Sequence, residues 1–198
     1  FATFMRSTHV VNLAQGEAFR ALKAVDSRLA VGTAFNMGPV QARTNSEADR
    51  DAAERLHGFT NVWFLEPALN GRYPDAFRPL PEETMDIRPG DMDLVRAPLD
   101  FIGINHYTRS IARYDAEGGL PGLPVSWEGG NQGPRTDFGW EVWPQGMYDI
   151  IMRIHQDYHP VIEITENGCS YGDAPDATGV VNDQRRIDYY DGYLRAVW

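Results

Sequence analysis

Apolar positions along the chain alternate between two periods, and the switches between them mark the elements. From 9 to 25, Val11, Ala14, Ala18, Leu22 and Val25 recur at helical spacing. Arg28 to Phe35 (RLAVGTAF) then reads as a short buried strand. A second helical stretch runs from about Ser46 through Trp63, with Asn45 or Ser46 as its cap and acidic residues in its first turn. Residues 100 to 108 (DFIGINHYT) form the next strand, and a Gly- and Pro-rich stretch from Arg109 to Gly139, containing Trp127, reads as a long loop. Pro144 opens a helix with Met147, Ile150, Ile151, Ile154 and Tyr158 on one face. The run PVIEIT, 160 to 165, is β-branched and reads as a buried strand, and Asp183 begins a last helix with Ile187, Tyr190, Leu194 and Val197 on one side.

The resulting order, α, β, α, β, α, β, α, predicts an α/β fold with parallel strands joined by right-handed crossovers. A doubly wound sheet and a piece of a (β/α)8 barrel both give this order, and a complete barrel takes about 250 residues or more. The absence of GxGxxG and GxxxxGKS counts against a nucleotide-binding sheet.

Chemistry concentrates at strand ends. PVIEITENG stops on Glu166, followed by the turn pair Asn167-Gly168, so a carboxylate stands where parallel α/β folds place their active groups. In the preceding strand, alternation puts Phe101, Gly103, Asn105 and Tyr107 on one face and Ile102, Ile104 and His106 on the other. An amide and a phenol beside a glutamate can form a sugar-binding surface, since Asn both donates to and accepts from hydroxyls and a phenol can hold a carboxylate ionised. The same residues also fit a structural reading, with Asn105 and Tyr107 buried and satisfying backbone groups and Glu166 an ion-pair partner or helix cap. Glu163, three residues before Glu166, is expected on the opposite strand face, paired with a helix behind the sheet.

Charge narrows the partners. The 198 residues carry 18 Lys and Arg against 28 Asp and Glu, a formal charge of −10, which repels phosphate backbones and anionic lipid. Nucleic acid and membrane are therefore not expected as partners. The acidic residues are dispersed, as in EADRDAAER, and read as solvated helix faces. The single cysteine, Cys169, cannot form an internal disulfide, and with no signal peptide or membrane span the reading is cytoplasmic. Cys169 has no His or Cys partner at ligand spacing and is expected to pack or to be an exposed thiol, His155 and His159 are expected at the surface, and His9 and His57 have no evident partner, so no metal and no cofactor is expected. Trp127 is expected either to line an entrance or to pack beneath the loop.

Four motifs taken together, ITENG at 164 to 168, GINHYT at 103 to 108, GWE at 139 to 141 followed by Pro144, and WFLEP with GRYPD between 63 and 75, resemble the family 1 glycoside hydrolases of the β-glucosidase type. The resemblance runs through essentially the whole chain. It implies a (β/α)8 barrel acting on β-glucosides or oligosaccharides by a retaining double displacement. Glu166 matches the nucleophile, Tyr107 the tyrosine that orients it, Asn105 a neighbouring substrate-binding residue, and Trp140 a wall of the aglycone subsite. His106 stands where the commoner motif has tyrosine, and alternation turns it away from the site.

The family's acid/base glutamate lies in an Asn-Glu-Pro motif that this sequence lacks; Glu66-Pro67 belongs to WFLEP and is expected to be structural. The resemblance thus implies one domain over 1–198, a partial barrel from roughly the fourth helix through the seventh, cut at both ends and inactive by itself. The rival reading is a non-catalytic carbohydrate-binding module, and neither reading fixes the glycone or the oligomeric state.

Overall fold

A computed structural model of the chain describes residues 1–80 and 82–198. Helix α1 (Ala2–Val25) leads into strand β1 (Gly32–Asn36) and a short strand β2 (Val40–Ala42). Helices α2 (Glu47–Thr60), α3 (Leu65–Asn70), α4 (Glu82–Met85) and α5 (Asp91–Val95) follow, then strands β3 (Phe101–Asn105), β4 (Ser110–Tyr114) and β5 (Val125–Gly129). Helix α6 (Gln145–Tyr158), strand β6 (Ile162–Glu166) and helix α7 (Gln184–Val197) complete the described chain. Ser46 caps α2, its hydroxyl accepting from the Asp49 N–H at 3.1 Å, and Gly71 closes α3 with a left-handed φ of 66°.

The main sheet runs β1–β3–β6, all parallel and in chain order. Each crossover adds its strand to the same edge, as around a barrel wall; a doubly wound sheet reverses direction at a switch point. One face of this arc is apolar: Phe35, Ile102 and Ile104 pack against Leu65 of α3 and against Ile150 and Ile154 of α6. Burial of each such side chain is worth about 1.5 to 3 kcal/mol. The other face carries Ala34, Asn36, Gly103, Asn105 and Thr165, small or polar groups of which Ala34, Asn36 and Thr165 are exposed.

Four expectations from the sequence need correction. The stretch 109–139 is not a plain loop: β4 and β5 pair antiparallel there and join β2 in a second sheet, with Trp127 on β5 and half-exposed. Its Ala112 and Val125 are buried against α2, a pattern hidden by the many Gly and Pro around it. In α1 the buried face is Met5, Thr8, His9, Asn12, Gly16 and Phe19, so that Val11, Leu22 and Val25 of the anticipated stripe are exposed. In α7, Tyr189 and Tyr193 are buried, whereas Ile187, Tyr190, Leu194 and Val197 are exposed. Hydrogen bonds explain the choice in α1: His9 bonds Tyr73 Oη at 2.8 Å and Asp91 at 3.0 Å, and Asn12 donates to Tyr73 Oη at 3.1 Å. Finally, among the described residues β6 pairs only with β3, and Ile164, together with Val161 just before the strand, is exposed rather than buried.

Candidate active site

The β3–β6 register shifts at one point, and that shift builds the site. Gly103 lies opposite Glu163 and Ile104 opposite Ile164, but Asn105 lies opposite Glu166. One extra residue in β6 is a β-bulge, which re-aims the side chain that follows it. Because Gly103 and Asn105 share a face, Glu163 and Glu166 lie on the same side of the sheet, although strict alternation separates them. Glu163 is exposed and makes no ion pair among the described residues, so the expected partner on a helix behind the sheet is absent.

At the carboxyl end of the sheet, Asn36, Asn105 and Glu166 therefore stand side by side in register. The Tyr107 hydroxyl donates to Glu166 Oε2. That hydrogen bond, with burial second, holds the phenol above its ordinary pKa, so Tyr107 keeps its proton and remains a donor. Thr165 Oγ1 donates to Asn105 Oδ1 at 2.5 Å, which directs the amide NH₂ of Asn105 elsewhere. Behind the carboxylate, Asn167 donates to the His106 carbonyl at 2.8 Å and to Tyr189 Oη at 3.0 Å, and Tyr190 Oη donates to the Asn167 carbonyl at 3.2 Å. The turn after Glu166 is thus tied both to the segment that follows β3 and to α7.

Trp140 closes one wall. Its ring lies 5.2 Å from that of Tyr107 and 5.7 Å from that of Phe138, and 40% of its surface is exposed. Asn36, Asn105, Tyr107, Trp140 and Glu166 all border one open cleft of about 560 Å³. The dimensions and the mixture of aromatic faces with amide, hydroxyl and carboxylate groups suit a sugar ring.

The four residues singled out in the sequence, Asn105, Tyr107, Trp140 and Glu166, are thus brought together. His106 is fully buried away from the cleft, its Nδ1 2.9 Å from the Met37 carbonyl. Glu66 is not in the cleft: it sits on α3, bonded to Arg72 Nε at 2.9 Å and Tyr158 Oη at 3.2 Å, as a structural carboxylate would. Trp127 borders a separate shallow cleft with Arg43 and Arg113. His155 and His159 are exposed, while His9 and His57 do have partners; Asn61 Nδ2 lies 2.9 Å from His57 Nδ1. Cys169 is a free thiol, raised above its ordinary pKa by burial. Among the described residues no cluster of three or more His, Cys, Asp or Glu could hold a metal, and no helix is long and apolar enough to cross a membrane.

Sequence reasoning missed Asn36 and Asn61 on the cleft wall. Asn36 had a usable signal, since it directly follows the apolar run that ends at Phe35.

The model of glycosyl hydrolase family 1 matches residues 1–198. Beta-glucosidase A of Acetivibrio thermocellus is 30% identical over 198 residues, covering 97% of this chain and 44% of that protein. A 1,4-beta-D-glucan glucohydrolase of Thermotoga neapolitana is 35% identical over 173 residues, covering 85% of this chain and 39% of that protein. Among solved structures, a family 1 β-glucosidase from Thermotoga maritima superposes with a TM-score of 0.87 at 29% identity, covering 96% of this chain and 42% of the other. The same organism's β-glucosidase in complex with deoxynojirimycin gives a TM-score of 0.85. The chain therefore spans less than half the length of the relatives it matches.

Proposed function

The chain belongs to glycosyl hydrolase family 1, and we propose that it supplies one side of the active site of a retaining β-glucosidase. The observation that carries this reading is the Glu166 carboxylate, held by the Tyr107 hydroxyl and set beside Asn105 in a cleft walled by Trp140. In this reading Glu166 attacks the anomeric carbon of a terminal β-glucoside. The glycosidic bond breaks as the ester to Glu166 forms, and water then releases the sugar with its configuration retained.

Such a displacement needs a second carboxyl group about 5 to 5.5 Å from the first, to protonate the leaving oxygen and later to activate water. Glu166 is the only carboxylate bordering the cleft among the described residues. The proposal therefore assigns the acid/base to a part of the complete protein beyond these residues, and the three-stranded arc to a barrel piece from about the fourth helix through the seventh. The test is turnover of an aryl β-glucoside by the complete protein, followed by NMR of the first-formed sugar. β-Glucose as the first product supports the reading; α-glucose, or binding without turnover, defeats it in favour of an inverting enzyme or a sugar-holding module.

Trp140 has a defined part in this reading. Its exposed ring offers an apolar platform outside the reacting sugar. In the complete enzyme Trp140→Ala is expected to raise KM about tenfold for cello-oligosaccharides and much less for a small aryl glucoside, since an aromatic contact is worth about 0.5 to 1.5 kcal/mol beyond the area it buries. Equal losses on both substrates would show that Trp140 serves packing instead.

A further inference from the structure

Three segments reach the cleft from the carboxyl ends of the strands. Met37 and Gly38 lead into β2, Tyr107 and Thr108 lead into β4, and Trp140 precedes α6. One buried cation touches all three segments. The Arg109 guanidinium donates through Nε to Glu141 Oε2 at 2.7 Å, through Nη2 to Glu141 Oε1 at 3.2 Å, and through Nη1 to Gln41 Oε1 at 2.5 Å. Its central carbon, Cζ, lies over the Trp143 ring, 3.6 Å from the centroid. The Glu141 carboxylate also accepts from the backbone N–H of Gln132 at 2.5 Å and of Gly133 at 2.7 Å. Both partners are essentially excluded from solvent, with side chains 2% and 0% exposed.

This is more than an incidental ion pair. The pair fills the space beside Gly130, where a Cβ would lie 1.7 Å from Glu141 Oε2, so any larger residue there would displace it. Burial opposes ionisation of Glu141, yet Arg109 and the two backbone donors outweigh it and leave the carboxyl below its ordinary pKa. The Thr108 hydroxyl donates to the Glu141 carbonyl at 3.1 Å, a second tie between the segment that carries Tyr107 and the one that carries Trp140. Neither Arg109 nor Glu141 borders the cleft.

We propose that Arg109 and Glu141 form a positioning clamp that sets Trp140 and Tyr107 relative to each other, and so governs how the complete enzyme accepts substrates extending beyond the reacting sugar. The inference rests on the β-glucosidase reading above. A fork of several donors and a stacking plane is specific to arginine, so Lys at position 109 keeps the charge but cannot hold three segments at once. Gln at position 141 turns an N–H donor toward either Arg109 or the backbone N–H groups. A misplacement of about 1 Å can cost about 10²-fold in a positioned site.

The experiment uses the complete enzyme with Arg109→Lys, Glu141→Gln and the milder Gln41→Leu, which leaves the ion pair intact. Active sites are counted with a 2-deoxy-2-fluoro glucoside that traps the glycosyl-enzyme, so that unfolded molecules do not enter the rates. Per counted site, Arg109→Lys and Glu141→Gln are expected to lower kcat/KM for cellotetraose about 30-fold and for p-nitrophenyl glucoside about threefold. Gln41→Leu should show the same bias at a smaller size, and it keeps the test open if the other two do not fold. Unchanged rates per site, with only a lower melting temperature, would overturn the proposal, as would equal losses on both substrates. A wild-type enzyme that turns over neither substrate would instead defeat the β-glucosidase reading.

Discussion

In the complete enzyme, Glu166→Gln is expected to lower turnover of aryl β-glucosides by roughly 10⁴- to 10⁶-fold, the scale on which loss of a covalent nucleophile acts. The amide keeps the size of the side chain and can still accept from Tyr107, so the cleft stays shaped for sugar; it cannot form the ester on which the double displacement depends. Binding of a non-reacting glucose analogue should change far less than the rate. Tyr107→Phe separates the carboxylate from its donor: a hydrogen bond to a charged group is worth about 1.5 to 3 kcal/mol, so formation of the glycosyl-enzyme should slow about 10- to 100-fold. Mass spectrometry after trapping with a 2-deoxy-2-fluoro glucoside reads the assignment directly. A label on any carboxylate other than Glu166 would remove it.

That a carboxylate stands at a strand end could be read from local cues: a β-branched run names the strand and Asn-Gly the turn after it. The nucleophile role came from the resemblance of ITENG to its family, not from period. Asn105 followed from alternation in β3, and Tyr107, two residues beyond its end, reaches the same cleft. Alternation put Glu163 and Glu166 on opposite faces because a bulge leaves no mark in composition, and one inserted residue between them brings Glu166 round to the face of Glu163. The Arg109–Glu141 pair spans 32 positions and matches no spacing rule; only the tertiary approach of two loops creates it.

The helices show a different limit. In α6 the apolar stripe Met147, Ile150, Ile154 is buried as its period implies, because the β3 face covers part of it and α7 the rest. The stripes of α1 and α7 are equally periodic, yet they face outward, and the packed faces of those helices are partly polar or aromatic. Periodicity identifies the helix and an apolar face; it does not say which neighbour covers that face.

That outward pattern underlies the second large effect: the 198-residue chain alone is expected to show no enzyme-like turnover of β-glucosides. Proton donation to the leaving group contributes about 10²- to 10⁴-fold, and no second carboxylate borders the cleft among the described residues. Positioning suffers as well, since the cleft is open to solvent and a sugar in it would keep much of its freedom. Folding should suffer for a related reason. Val11 and Val25 of α1, Val161 beside β6, and Ile187 and Leu194 of α7 are all more than half exposed, and among the described residues one edge of β6 is unpaired. Apolar patches next to open strand edges favour association over a cooperative monomer. Chromogenic turnover and thermal unfolding of the purified chain decide the matter together, with a broad transition and no turnover as the expected pair. Sustained turnover abolished by Glu166→Ala would mean that the proton donor lies within these residues, and the one-sided site proposed here would have to be abandoned.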